Sequence, residues 1–258
     1  MQQPLSLLRD CLIIIKVGGA SFTDKRKGID KLESASTVIA DEIAASGVLN
    51  REKLVVIHGA GYFLHRFAKA KRLSKYRKGS EVDFSKLANM ALEVSLKLSS
   101  KLANRSIPVL TLSTRSLCRM AGGRLLINDW AIKGFSDLGY VPLLSSDAPL
   151  STRSGMEVVS GDVIAAVLSR TLKAKRVIFV TDVDGVLDPD GKVIGEIAKR
   201  EIGHMKLLER KVNDVTGGMH SKLALTRSMS GDVFIISLRK KGNLAKALQG
   251  TCEGTVIR

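Results

Sequence analysis

The chain has 258 residues, 45% of them hydrophobic, with 23 glycines and only 5 prolines. That composition suits a folded chain with a sizeable core and excludes disorder, collagen-like repeats and low complexity. Lysine and arginine outnumber aspartate and glutamate by 41 to 25, a formal net charge of +16, which raises the question of an anionic partner.

An aromatic content of 4%, with no stacking platform and no zinc-finger spacing, argues against nucleic acid as that partner. Apolar stretches such as Cys11–Ile15 and Val177–Val180 fall far short of the ~20 residues that span a bilayer. Strand-like sequence from Leu12 leaves no room for a signal peptide. Cys11, Cys118 and Cys252 are an odd set without CxxC or metal-ligand spacing, so neither a disulfide framework nor a metal site is indicated. The expectation is a reduced, cytoplasmic protein.

In chain order, Leu12–Val17 (LIIIKV) is a short apolar run ending in Gly-Gly, the pattern of a fully buried strand. Lys31–Ser46 has helical spacing, with Leu32, Val38, Ile39 and Ile43 assigned to one side and Gly47 as the stop. Lys53–Ile57 predicts a second buried strand, Phe84–Asn104 a long helix and Ile107–Leu112 a strand. Tyr140–Leu144, Arg176–Thr181 and Asp232–Ser237 are further runs of strand length. Helices are predicted over Asp162–Leu172, His204–Val212 and Gly218–Met229, and a hairpin over Ser151–Val158. Strand and helix alternate along the chain, which argues a parallel sheet with helices on both faces. With no linker or internal repeat, one continuous α/β domain over residues 1–258 is expected.

In such sheets the ligand lies beyond the carboxyl ends of the strands. Three glycine clusters mark that end: Lys16-Val17-Gly18-Gly19-Ala20-Ser21, His58-Gly59-Ala60-Gly61, and Asp214-Val215-Thr216-Gly217-Gly218-Met219. None is a Walker A loop or GxGxxG. Each still has the means to cradle a phosphate, through closely approaching backbone N–H groups and a following helix N-terminus. His58, directly after a strand, reads as a structural hydrogen-bonding residue; His204 and His220 read as exposed. DVDGVLDPDG lacks the EF-hand pattern and its closing Glu, so Asp182, Asp184, Asp188 and Asp190 read as a hairpin. Lys69, Lys71, Arg72, Lys75, Arg77 and Lys78 form the densest basic cluster, read as a solvated face or as a surface that draws in phosphorylated metabolites.

KVGGASFTDK, HGAGYFLH, SGDVIA, TDVDGVLDPDG and NDVTGGMHSK occur in the order found in the amino acid kinase family. They run from residue 16 to 222, and the closing GTVIR also fits. Within the family, His65 and DVTGGM most resemble the isopentenyl phosphate kinases, although those usually read GSFGH where this chain has Gly61-Tyr62-Phe63-Leu64-His65. The resemblance implies a three-layer αβα sandwich around a mostly parallel sheet. The N-terminal half would hold the acceptor and the C-terminal half ATP. It places Lys16, Gly18, Gly19, Ala20 and Gly61 at the nucleotide phosphates and Lys25 at the transferring group. Ala60, His65 and Gly161 would meet the acceptor; Asp182, Gly218 and Lys222 would bind ATP; Asp162 would orient the lysines. ATP carrying Mg2+, a homodimer, and transfer of phosphate to isopentenyl phosphate follow as expectations. A phosphonate kinase of the fosfomycin type is the alternative within the family, and a non-catalytic basic nucleic-acid-binding protein the alternative outside it.

Overall fold

The computed structural model describes residues 11–24, 29–59, 61–205 and 218–258. Its centre is an eight-stranded sheet. The order is Glu196–Ile197, Thr255–Ile257, Asp232–Ser237, Arg176–Thr181, Leu12–Val17, Lys53–His58, Val141–Ser145, Val109–Thr111. Leu12–Val17 pairs in parallel with strands on both sides, Lys53–His58 from the N-terminal half and Arg176–Thr181 from the C-terminal half. The strand order therefore reverses at the first strand, the place beyond whose carboxyl end sheets of this kind bind their ligands.

The side chains of that strand divide by parity. Ile13, Ile15 and Val17 enter a core with Ile39 and Ile43 of helix Leu32–Ser46, Leu98 of helix Glu81–Ala103 and Leu244 of helix Asn243–Gln249. Leu12 and Ile14 enter the opposite core, with Ile164 and Leu168 of helix Gly161–Thr171, Leu223 of helix Gly218–Thr226 and Ile132 of helix Trp130–Asp137. Two apolar faces on one sheet, each covered by helices, make the three-layer αβα sandwich expected from the resemblance. The buried carboxylate of Glu42 ties the first helix to the last: it accepts from the backbone N–H groups of Gly242, Leu244 and Ala245, orphan donors of a helix start.

Leu12–Val17, Arg176–Thr181 and Asp232–Ser237 match their predicted bounds, and the other predicted strands shift by a residue or two. The predicted hairpin exists as Leu150–Ser151 paired with Gly155–Met156. The sheet is mostly parallel, as expected, with Asp232–Ser237 and Thr255–Ile257 as its antiparallel pair among the described residues. Two points differ from the sequence reading. Val38 does not share the buried face of its helix and is 37% exposed, since it lies ~100° around the helix from Ile39. A second sheet of four strands was not foreseen; it includes the hairpin Cys118–Ala121/Arg124–Ile127. Most of the predicted helix His204–Val212 lies outside the described residues.

Candidate active site

Lys16 is the one charged residue in an otherwise apolar strand. Parity turns it to the same face as Ile14, beneath the start of helix Gly161–Thr171. That helix is opened by Ser160, whose Oγ accepts from the N–H of Val163, an N-cap contact. Asp162 stands in its first turn, where a carboxylate is favoured by the helix dipole. Lys16 Nζ forms an ion pair with Asp162 Oδ1 at 2.5 Å. Lys222 Nζ, from helix Gly218–Thr226, donates to Asp162 Oδ2 at 2.5 Å. Lys222 also lies 4.4 Å from the centroid of Phe179, the residue paired with Lys16 across the sheet.

Burial alone would raise the Asp162 carboxyl, but the two ammonium groups outweigh it and hold the group well below the usual carboxylate range. It is therefore ionised at neutral pH. Two cations against one anion leave a net positive charge at the centre, held in fixed positions by a buried carboxylate.

The glycine loops close around this point. Gly18 N–H donates to Val180 O and Gly59 N–H to Val17 O, each at 2.8 Å. These bonds extend the sheet ladder into the loops. The loops then pack backbone against backbone. A Cβ on Gly19 would collide with the backbone N of Gly61 and stand 2.6 Å from its Cα; one on Gly59 would stand 2.7 Å from Gly19 N. Gly61 has φ of +74°, a conformation that suits glycine. A Cβ on Gly161 would meet Lys16 Cε at 3.1 Å and Ser146 Oγ at 3.2 Å. Ser146 Oγ accepts from Gly161 N–H at 2.8 Å, pinning the helix start beside Lys16.

The structure thus brings together Lys16, Asp162 and Lys222, with Gly18, Gly19, Gly61 and Gly161 around them. Ala20 sits in the short 3-10 turn Gly19–Phe22. Gly218 opens the helix that carries Lys222. Asp182 is exposed in the turn after Thr181, next to the strand end that receives Gly18. His65 lies one turn into helix Gly61–Ala70 and is part-buried. Lys25 and Ala60 lie outside the described residues, as do Asp214–Gly217 of the third glycine cluster.

His58 is fully buried on the opposite face of the sheet. Its Nε2 lies 2.6 Å from Ser95 Oγ and its Nδ1 3.0 Å from Gly59 O. Burial pushes the imidazole down to about 4, so it is neutral and structural, as its sequence position suggested. His204 and His220 are exposed. Leu64 is buried in the core with Val17 and Phe22; its side chain is thereby turned away from solvent. The residue missed by sequence reasoning is Ser146. Its signal was its place immediately after the strand Val141–Ser145, at the carboxyl end of the sheet.

No cluster of three or more His, Cys, Asp or Glu able to hold a metal ion occurs among the described residues, and both oxygens of Asp162 are already committed to lysines.

A switch-point crevice lined by glycine backbone, with two lysines braced on one carboxylate, is built to receive phosphate-bearing anions. Fold and site together define an α/β phosphotransferase. The model of the amino acid kinase family matches residues 12–233, and the chain belongs to that family. It is 30% identical over 259 residues to the isopentenyl phosphate kinase of Methanocaldococcus jannaschii, covering 95% of this chain and 98% of that protein. It is 31% identical to the isopentenyl phosphate kinase of Arabidopsis thaliana, covering 94% of this chain and 82% of that protein. A solved isopentenyl phosphate kinase structure superposes with a TM-score of 0.78 at 27% identity, covering 96% of this chain and all of that one.

Proposed function

We propose that this chain transfers the γ-phosphoryl group of ATP to isopentenyl phosphate, giving isopentenyl diphosphate and ADP. The observation that carries the reading is the Lys16–Asp162–Lys222 bridge at the switch point, within a chain whose relatives over nearly its full length bear that activity in their names.

In this reading an oxygen of the acceptor phosphate attacks the γ-phosphorus, the bond to the β,γ-bridging oxygen breaks, and ADP leaves. Such a transfer proceeds through a loose transition state and asks the protein for positioning and charge neutralisation. Lys16 and Lys222 supply the positive charge and the glycine N–H groups the donors. Asp162 holds both lysines apart in fixed positions. The acceptor, a phosphate monoester with a second pKa near ~6, is largely dianionic at neutral pH and needs an anchor more than a base. His65 is that anchor, with Ala60 and Gly161 beside it. Lys25 supports the transferring group, while Gly18, Gly19, Ala20, Gly61, Asp182 and Gly218 serve the nucleotide. Mg2+ belongs to the substrate, riding on the ATP phosphates.

The residues form one domain, residues 1–258, with the acceptor on the N-terminal half and ATP on the C-terminal half. It works in the cytoplasm as a homodimer; exposed Leu92 and Leu96 on helix Glu81–Ala103 offer apolar surface for a second copy to cover.

The test is an ADP-release screen with isopentenyl phosphate, fosfomycin, acetylglutamate, carbamate and UMP as acceptors. The reading expects isopentenyl phosphate to give the highest kcat/KM. Fosfomycin or an unphosphorylated acceptor in first place would replace it.

A further inference from the structure

Between Gly61 and Ser80 the chain carries seven lysines and arginines and no aspartate or glutamate. This segment grows directly out of the site. Helix Gly61–Ala70 starts where Gly61 lies against Gly19. Gly61, His65 and Lys69 follow at four-residue steps and share a helix face. At 1.5 Å rise per residue, Lys69 lies ~6 Å along the axis from His65.

Arg66, Lys69, Arg72, Lys75 and Lys78 are all exposed. Two neighbouring cations have local duties. Arg77 Nη2 donates to the carbonyls of Lys71 and Arg72, closing the helix end, and Lys71 lies 3.7 Å from Asp83. Of the nearby acids, Glu81 accepts from the Tyr76 hydroxyl and Glu157 accepts from Ser151. The segment is fixed to the body of the protein. Tyr76 N–H donates to Met156 O, Val158 N–H to Ser74 O, and fully buried Leu73 packs with Phe84 and Ala148. Phe67 and Tyr76 pack, partly buried, against the same cluster. The exposed lysines and arginines of this segment stand at fixed positions on the acceptor side of the site.

We propose that this basic face steers the phosphate-monoester acceptor into the site by long-range attraction, acting on encounter and not on the chemical step. The proposal rests on the phosphate-acceptor reading above and adds a surface to it. A cleft flanked by charge of one sign raises encounter rates by ~10- to 10³-fold. The reach of such a field is set by the Debye length, ~30 Å at 0.01 M salt and ~3 Å at 1 M. At low salt Lys69 and its neighbours therefore act on the whole crevice, and at high salt on almost none of it.

The experiment measures kcat and kcat/KM separately for isopentenyl phosphate and for ATP, at about 0.01 M and about 1 M salt. It compares the wild type with a variant combining Arg66→Gln, Lys69→Gln, Lys75→Gln and Lys78→Gln. At low salt the variant should lose about three- to tenfold in kcat/KM for isopentenyl phosphate, with kcat and the ATP arm unchanged. At high salt the two proteins should coincide. Lys69→Gln and Lys69→Glu, made singly, keep the test open if the combined variant does not fold, and should lower the same arm in that order. Equal salt slopes in wild type and variant, an equal loss in the ATP arm, or a loss in kcat would each overturn steering while leaving an active kinase in hand. A wild type that phosphorylates no phosphate acceptor would remove the functional reading, and steering with it.

Discussion

Lys16 and Lys222 approach different oxygens of one carboxylate, that of Asp162, each at 2.5 Å. One lysine comes from the central strand and the other from a helix near the C-terminal end of the chain, so the contact exists only in the folded protein. It fixes two ammonium groups at the spot where the strand order of the sheet reverses.

Removing either ammonium should therefore damage catalysis far more than folding. Lys16→Ala and Lys222→Ala should each lower kcat by about 10²-fold or more, the scale of losing one preorganised donor, with circular dichroism unchanged. Near-normal turnover in either variant would contradict the site.

Asp162→Asn keeps the shape of the carboxylate but not its charge. Turnover should fall while the protein stays folded at pH 7. The acid limb of stability should also change. Because the folded-state group sits below its unfolded value, Asp162 stabilises the fold in full above about pH 4, and this contribution declines progressively as pH falls from there toward the folded-state value. Urea titrations between pH 7 and 3 should show a shallower acid loss in Asp162→Asn than in the wild type.

His58 supplies a second, separable acid response. Its imidazole is lowered to about 4 by burial, so between about 6.5 and 4 the unfolded chain binds a proton that the folded one refuses. Stability should fall as pH drops through that window, by about 3 kcal/mol in full. His58→Gln, which preserves a hydrogen bond to Ser95, should flatten that part of the curve; an unchanged slope would contradict a neutral buried His58.

The interlocked loops make a steric prediction. Gly19→Ala would drive a methyl group into the backbone of Gly61, and neither partner is a flexible side-chain end that could yield. Activity should be lost with a lowered Tm, whereas Gly134→Ala, in open space, should leave both within error of wild type.

Much of this arrangement was legible in the sequence, and the reasons differ by residue. Leu12–Val17 matched because a fully buried strand has no competing helical pattern, and Lys16 stood out as the one charge within it. The pairing of Lys16 with Asp162 was not readable from spacing, since it depends on how helix Gly161–Thr171 lies over the sheet; only the family resemblance pointed there. The hairpin around Gly122-Gly123 was missed although its signal was present, a two-residue Gly-Gly turn with both φ values positive. Its flanking strands carry Arg119 and Arg124, which broke the apolar runs used to find strands. Ser146 was missed because a serine after a strand is common, and only its bond to Gly161 distinguishes it.

His65 gives the sharpest view of the acceptor. A hydrogen bond to a charged group contributes roughly 1.5–3 kcal/mol, so His65→Ala should lower kcat/KM for isopentenyl phosphate by about 10- to 150-fold and leave KM for ATP nearly unchanged. His65→Gln should recover part of the loss, because an amide donates without carrying charge.

The most direct measurement of the whole account is a phosphorus NMR time course of the wild-type protein with ATP, Mg2+ and isopentenyl phosphate. The account predicts that the isopentenyl phosphate resonance disappears as a diphosphate pair and ADP grow in equal amounts, and that Lys16→Ala slows all three changes by about 10²-fold or more. Loss of ATP without a new diphosphate, or an isopentenyl phosphate resonance that stays constant while another acceptor is consumed, would contradict it.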